Sequence, residues 1–268
     1  MIITPFRYPG SKNKLLPVLM KYIENILVDQ DNFTDVFVGG GSVLLEVAQK
    51  YPNIRLYAND KDYWVYCFWK IISAIDSIQF LDLLKLIDQS PTLEQFYKLR
   101  EEKTTDEVRC AYKAIYFNRT TFSGIFYSGP IGGKEQKSVY TIDCRYNSKK
   151  IRSKMEKCRK LLCGRTTVTN KHFVDLPQMY TDDPKYLDPP YYHKGDALYI
   201  EKMTSADHFD LAVLLHSRKN WVLSYDDCDN VKDLYEGHKI IDLAARYCIN
   251  GIKESWKHKN ELIILPLP

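Results

Sequence analysis

The segment Asp35-Val36-Phe37-Val38-Gly39-Gly40-Gly41-Ser42 constrains this chain more than any other. A short apolar run, Thr34 to Val38, reads as a strand, and three glycines break it. Ser42, a good N-cap, then opens a helix that reaches Lys50. Ile54 to Ala58 is a second strand, closed by Asn59-Asp60. Strand, Gly-rich turn, helix and strand make a βαβ unit, and such units build parallel sheets. Glycine tolerates positive φ and, lacking Cβ, lets a ligand approach the backbone closely. Asp60 stands 25 residues after Asp35, where a carboxylate can accept hydrogen bonds from both hydroxyls of a ribose. The pattern therefore points to a nucleoside cofactor: NAD, FAD or S-adenosylmethionine. Leu44 occupies the third glycine position of GxGxxG, which weakens the dinucleotide option.

The remainder divides in two. Lys14 to Leu27 is an amphipathic helix interrupted by Pro17. From about Tyr63 to Asn118 the periodicity is mostly helical, with breaks near Pro91 and Thr104-Thr105. Arg119 to Asn147 is Gly-rich and irregular, a loop or hairpin, and residues 148–163 form a basic helix. Strand signals return at Thr166 to Asn170, Tyr186 to Asp188, Trp221 to Tyr225, His238 to Asp242 and Glu261 to Leu265, with a helix from Ser205 to Ser217. This predicts an α/β fold: a Rossmann-like sheet split between residues 1–62 and 165–268, with a mostly helical insertion over 63–164. No apolar run is long enough for a membrane span. The N-terminus has no long apolar stretch before a cleavage site, so export is not expected. Seven cysteines without a CxxC pair read as reduced thiols in a cytoplasmic protein.

The most specific motif is Asp188-Pro189-Pro190-Tyr191, which follows the strand at Tyr186. Two prolines remove backbone donors and fix φ, leaving carbonyls free and rigidly aimed. An amino group bound there meets only acceptors, the Asp188 carboxylate and the Pro189 carbonyl. The exocyclic amine of a base is a poor nucleophile because its lone pair is delocalised into the ring. Accepting both its hydrogens lets the nitrogen pyramidalise and regain nucleophilic character. Tyr191 can stack on a base that has left its helix. A simpler reading is a Pro-Pro turn that ends a strand.

Arg7-Tyr8-Pro9-Gly10-Ser11-Lys12, DVFVGGGS, Asn59-Asp60, Tyr116-Phe117-Asn118-Arg119, DPPY and Leu223-Ser224-Tyr225 follow one another in an order that resembles the Dam-like DNA adenine N6-methyltransferases. The resemblance covers nearly the whole chain. It implies site-specific methyl transfer from S-adenosylmethionine to a flipped adenine in double-stranded DNA, without a metal. It places Asp188, Pro189, Pro190 and Tyr191 in catalysis. It puts Tyr8, Lys12, Asp35, Phe37, Gly39, Gly41, Asp60, Phe173 and Asp188 around the cofactor, with Lys12 near the methionine carboxylate and Phe173 on the adenine. Arg7, Asn118, Arg119, Phe122, Ser123 and Tyr127 would face DNA, Phe122 as the wedge that replaces the flipped base. GATC-specific members carry Asn where Ser123 stands and Arg where Tyr127 stands, so GATC recognition is not supported. A monomer is expected, in a bacterial cell or a phage-infected host, with a cognate restriction endonuclease as a candidate partner.

Charge adds a second argument for DNA. Between Arg145 and Arg165 nine basic residues face one acid, Glu156, a local excess of +8 in a chain of net charge +4. Such a concentration suits phosphate neutralisation, and Lys149, Lys150 and Arg152 are its candidate contacts. The plainer reading is a solvated helix face. Two rivals for the function stay open. One is N4-cytosine or other amine methylation, since Asp-Pro-Pro-Tyr serves any planar NH2. The other is a catalytically silent DNA-binding relative.

Overall fold

The computed structural model describes residues 4–7, 12, 15–192, 203–246 and 258–267. The chain opens with α1 (Leu16–Ile26), β1 (Asn32–Asp35), α2 (Ser42–Lys50) and β2 (Arg55–Asn59). Helices α3 (Tyr63–Ser73), α4 (Ile78–Ile87), α5 (Leu93–Glu101) and α6 (Glu107–Thr120) follow, then a 3-10 turn at Phe122–Gly124 and α7 (Ser148–Leu162). The last third holds β3 (Thr166–Thr169), β4 (Lys185–Leu187), α8 (Ser205–His216), β5 (Trp221–Asp226), α9 (Asp229–Leu234), β6 (Lys239–Arg246) and β7 (His258–Leu265). No helix among the described residues is long and apolar enough to cross a membrane.

All seven strands join one sheet in the order β3-β2-β1-β4-β5-β7-β6. The first five are parallel, and β7 runs antiparallel to both β5 and β6. This is the Rossmann-like α/β arrangement, with the parallel sheet that the βαβ unit predicts. Strand order reverses between β1 and β4, and in open α/β sheets the crevice at the carboxyl ends beside that reversal is the ligand site.

Alternation along the strands covers both faces. Tyr186, Val222 and Ile263 point into one buried cluster, while their neighbours Leu187, Leu223 and Leu262 point into another. A parallel sheet needs this double cover. The helices between β2 and β3 share the first cluster, since Phe68 and Ile72 of α3 and Ile115 of α6 are buried with Leu44 and Leu56.

Two element ends differ from the sequence reading. Val38 still donates to the Asn59 carbonyl at 2.9 Å, but β1 closes at Asp35, where the chain starts to turn. Gly41, not Ser42, is the N-cap of α2, in the left-handed region at φ 69°. A Cβ there would lie 2.3 Å from Trp69 Cζ2, so the indole of α3 fills the space a side chain would need.

Asn59 fastens the carboxyl ends of three strands. Its buried amide donates to the carbonyls of Val36 and Lys171, both at 3.1 Å. Its oxygen accepts from the Thr169 hydroxyl at 2.8 Å and the Lys171 amide at 3.0 Å. Asn59→Ala leaves four polar groups short of a partner, and each such loss costs roughly 1 kcal/mol or more. We expect about 2–4 kcal/mol of destabilisation in urea unfolding with the denaturant slope unchanged. A loss under about 1 kcal/mol would mean that water replaces these bonds at little cost.

Candidate active site

Three carboxylates stand at the carboxyl ends of neighbouring parallel strands: Asp35 on β1, Asp60 after β2 and Asp188 after β4. Asp60 is held by backbone donors. Its Oδ2 accepts from the Gly39 amide at 2.8 Å and its Oδ1 from the Asp62 amide at 2.9 Å. The first bond ties the end of β2 to the glycine turn. Trp69 supports that turn from below, its indole Nε1 donating to the Gly39 carbonyl at 2.8 Å.

Asp35 is different. It is almost wholly buried, with the backbone amides of Leu44 and Phe37 facing its carboxylate. Its Oδ1 nevertheless has no hydrogen-bond partner among the described residues. Burial, followed by repulsion from Asp188 and Asp60, holds its pKa well above the ordinary carboxylate range. Such an oxygen is suited to a cationic or donor group.

The Asp-Pro-Pro-Tyr corner is built around Lys12. The Lys12 Nζ lies 2.9 Å from Asp188 Oδ1 and also bonds the Glu261 carboxylate of β7. Only 4% of the lysine side chain is exposed, against 24% for Asp188, so the lysine is sealed while the carboxylate opens to solvent. Burial alone lowers an ammonium pKa; here Asp188 and Glu261 outweigh it and hold Lys12 well above its usual value. Ser224 on β5 donates to Asp188 Oδ1 at 3.0 Å and shares a 2.7 Å hydrogen bond with the Tyr186 hydroxyl. The Tyr192 amide donates to Asp226 Oδ1 at 3.1 Å, anchoring the corner to the end of β5.

Two expectations change here. Lys12 is engaged by two protein carboxylates, where the resemblance had placed it near a cofactor carboxylate; the sheet brings Glu261 to it from the far end of the chain. Tyr191 is 5% exposed and packs on Lys12, its ring centroid 5.3 Å from Nζ, so in this arrangement it offers no open face for a base. Phe173 is buried in the second core cluster with its ring 6.0 Å from that of half-buried Phe37. Pro189 is buried and Pro190 half-buried beside Asp188. Tyr8 lies outside the described residues. Sequence reasoning gave no role to Ser224, Glu261, Tyr186 or Trp69; Tyr186 lies on β4 itself, and the others complete the site from β5, β7 and α3.

The residues expected to face DNA separate into two groups. Phe122 and Tyr127 are 53% and 57% exposed. Ser123 is half-buried in the left-handed region at φ 56°, and Lys149 and Lys150 are exposed. Asn118, in contrast, is fully buried. Its Oδ1 accepts from the Arg7 amide at 2.6 Å, and its Nδ2 donates to the carbonyls of Arg7 at 3.0 Å and Gly124 at 3.3 Å. Asn118 positions the loop through these backbone bonds. Arg152 is paired with Asp88 at 2.8 Å and Glu156 at 3.2 Å, so its charge is already compensated. Arg119 turns inward and donates to the Pro5 carbonyl.

A model of the D12 class N6 adenine-specific DNA methyltransferases matches residues 8–249. The chain belongs to that family. It is also similar to the Type II methyltransferase M.MjaIII of Methanocaldococcus jannaschii, with 24% identity over 281 residues, 93% of this chain and 94% of the relative. Among solved structures, precorrin-6y C5,15-methyltransferase from Geobacter metallireducens GS-15 aligns over 96% of this chain and 89% of its own, with 11% identity and a TM-score of 0.41.

Membership of the D12 class makes this a DNA adenine methyltransferase that uses S-adenosylmethionine. The residues present suit that cofactor. Asp60 is fixed to the glycine turn at the end of β2, and the orphaned Asp35 oxygen matches a donor or cation.

The Asp188 pKa is pushed up to about 6, chiefly by burial, with Lys12 pulling it down and Glu261 raising it. An acceptor must be ionised, so activity should fall as pH drops below about 6. Ser224 favours the ionised form, and Ser224→Ala removes that donor. We expect the acid limb of the single-turnover rate to move to higher pH by roughly half a unit or more. A limb that stays in place would show that Ser224 does not tune Asp188.

Proposed function

We propose that the protein extrudes an adenine from double-stranded DNA and seats its N6 amino group against Asp188 and the Pro189 carbonyl. The observation that carries this reading is the Asp188 carboxylate, partly open to solvent and fixed by Lys12 and Ser224 beside the acidic cradle at the ends of β1 and β2. Asp188 and the Pro189 carbonyl accept the two amino hydrogens and draw the nitrogen lone pair out of the ring. S-adenosylmethionine supplies a methyl group on a sulfonium, an already activated leaving group. The protein therefore contributes orientation and electrostatics. With the cofactor bound, the amine that gained the methyl would become cationic while the S–CH3 bonding pair stayed on sulfur. Asp188, its proton affinity raised by burial, is placed to take the proton that the amine sheds. Asp35 and Asp60 face the cationic and ribose parts of the cofactor.

Phe122 is the exposed aromatic nearest the turn that Asn118 holds, and it suits the space left by the extruded base. One base is handled per event, and a monomer suffices for it. The expected product is N6-methyladenine, read by digestion of treated DNA to nucleosides and mass spectrometry. N4-methylcytosine as the sole product would overturn the assignment of the base. Asp188→Ala should lower single-turnover methylation by about 10³-fold, the scale of one essential transition-state contact. Duplex affinity should change only slightly. Retention of near-normal turnover would remove Asp188 from the mechanism.

A further inference from the structure

Arginine is well satisfied in most of this fold. Arg159 donates to four carbonyls beyond and within the end of α3, and Arg165 to carbonyls at the end of α2. Arg100 donates to the carbonyls of Phe126 and Ser128. Besides the lone Arg218 Nε, one cluster departs from this pattern. Arg7 Nη1 and Arg119 Nε are buried with no hydrogen-bond partner among the described residues. Beside them, Lys154 of α7 reaches the Thr4 carbonyl at 3.1 Å and Arg119 reaches the Pro5 carbonyl.

These cations form a row with no carboxylate opposite among the described residues. Arg145 repels Arg7, Arg7 repels Arg119, and Arg119 repels Lys154; burial and this repulsion lower the affinity of Arg7, Arg119 and Lys154 for their protons. No ion pair among the described residues joins any of the four to a carboxylate. Residues 1–14 contain no Asp or Glu, so the N-terminal segment cannot supply one. Buried charges are ordinarily paired, and leaving donors unmade is costly. A guanidinium fork matches a phosphate in shape as well as charge.

We propose that Arg7, Arg119, Lys154 and Arg145 form a pocket for one backbone phosphodiester of the DNA next to the extruded nucleotide. This deepens the reading of the protein as an enzyme acting on duplex DNA and rests on it. Position supports the assignment. The Arg7 backbone is bonded to Asn118 and lies against Gly124, so the pocket adjoins the turn bearing Phe122. Lys12 is five residues further on, which limits its distance from Arg7 to about 17 Å. A phosphate held there grips the strand between the wedge and the catalytic corner.

The test compares wild type with Arg145→Gln, at an exposed position, and Lys154→Met, which keeps the aliphatic stem. Duplex binding by fluorescence anisotropy is measured across a salt series, with circular dichroism melts to verify folding. Each variant should reduce the steepness of the logarithmic salt dependence by about one unit. A duplex with one neutral methylphosphonate linkage beside the target adenine should bind wild type several-fold more weakly, and Lys154→Met with little further loss. Salt dependences equal to wild type in both folded variants would overturn the pocket. If wild type binds no duplex at all, the DNA reading fails, and inorganic phosphate decides the pocket. A saturable rise in Tm over chloride of equal ionic strength, lost in Lys154→Met, would support an anion site for free phosphate. Its absence would refute the site.

Discussion

The Lys12 ammonium, sealed from solvent and bonded to both Asp188 and Glu261, gathers the N-terminal segment, the end of β4 and the C-terminal strand β7 to one point. Taking three charges out of water costs several kcal/mol per ion, and good geometry is needed to offset it. Two carboxylates against one ammonium leave the corner negative. Asp35 and Asp60 add to that excess along the same sheet edge. Burial raises the proton affinity of both Asp35 and Asp188, with Asp188 and Asp60 adding to it at Asp35 and Glu261 at Asp188. The edge is thus a place where an incoming cation relieves an existing electrostatic cost. A cofactor carrying a sulfonium answers that cost directly, and the reaction removes the sulfonium charge as it proceeds.

The segment from Thr4 to Arg7 is the second organising element. The Thr4 hydroxyl donates to the Gly40 carbonyl of the glycine turn. The Pro5 and Thr4 carbonyls receive Arg119 and Lys154, and Arg7 is clasped on both backbone groups by Asn118. Phe6 packs edge-on against Phe68, with ring centroids 4.7 Å apart, on the α3 face that also carries Trp69. One short stretch therefore touches the cofactor turn, the loop bearing Phe122 and the residues leading to Lys12. Asn118 thus joins the Phe122 turn to the backbone five residues before Lys12.

Local signals in the sequence were enough for the architecture. The glycine break, the βαβ unit and the later strand runs place all seven strands within a few residues of where they pair. The short α9 escaped because Asp229-Asn230-Val231-Lys232-Asp233-Leu234 shows no apolar periodicity. In the site, Asp188 and Asp60 were legible because each sits in a motif at a strand end. Ser224, Glu261 and Trp69 were not, since their contacts are made only when β5, β7 and α3 meet β4 and the glycine turn. The backbone bonds of Asn118 were illegible for a related reason: nothing local in Tyr116-Phe117-Asn118-Arg119 reveals that its amide meets the backbone of Arg7.

The basic run before β3 carries the sharpest lesson. Counting charge gives the total, whereas phosphate binding depends on how much of it reaches the surface. In α7 the residues divide by chemistry. Arg159 turns to the body of the protein, where a planar fork with five donors can satisfy several carbonyls at once, and Arg165 does the same just after the helix. Lys149, Lys150, Lys157 and Lys160 remain exposed, as expected of a strongly hydrated ammonium on a flexible stem. Lys154 is the exception among the lysines, drawn inward beside Arg119 where no acid meets it. The helix thus presents a general cationic surface through its outer lysines. Its one inward lysine joins the only row of cations among the described residues whose buried donors still lack an acceptor.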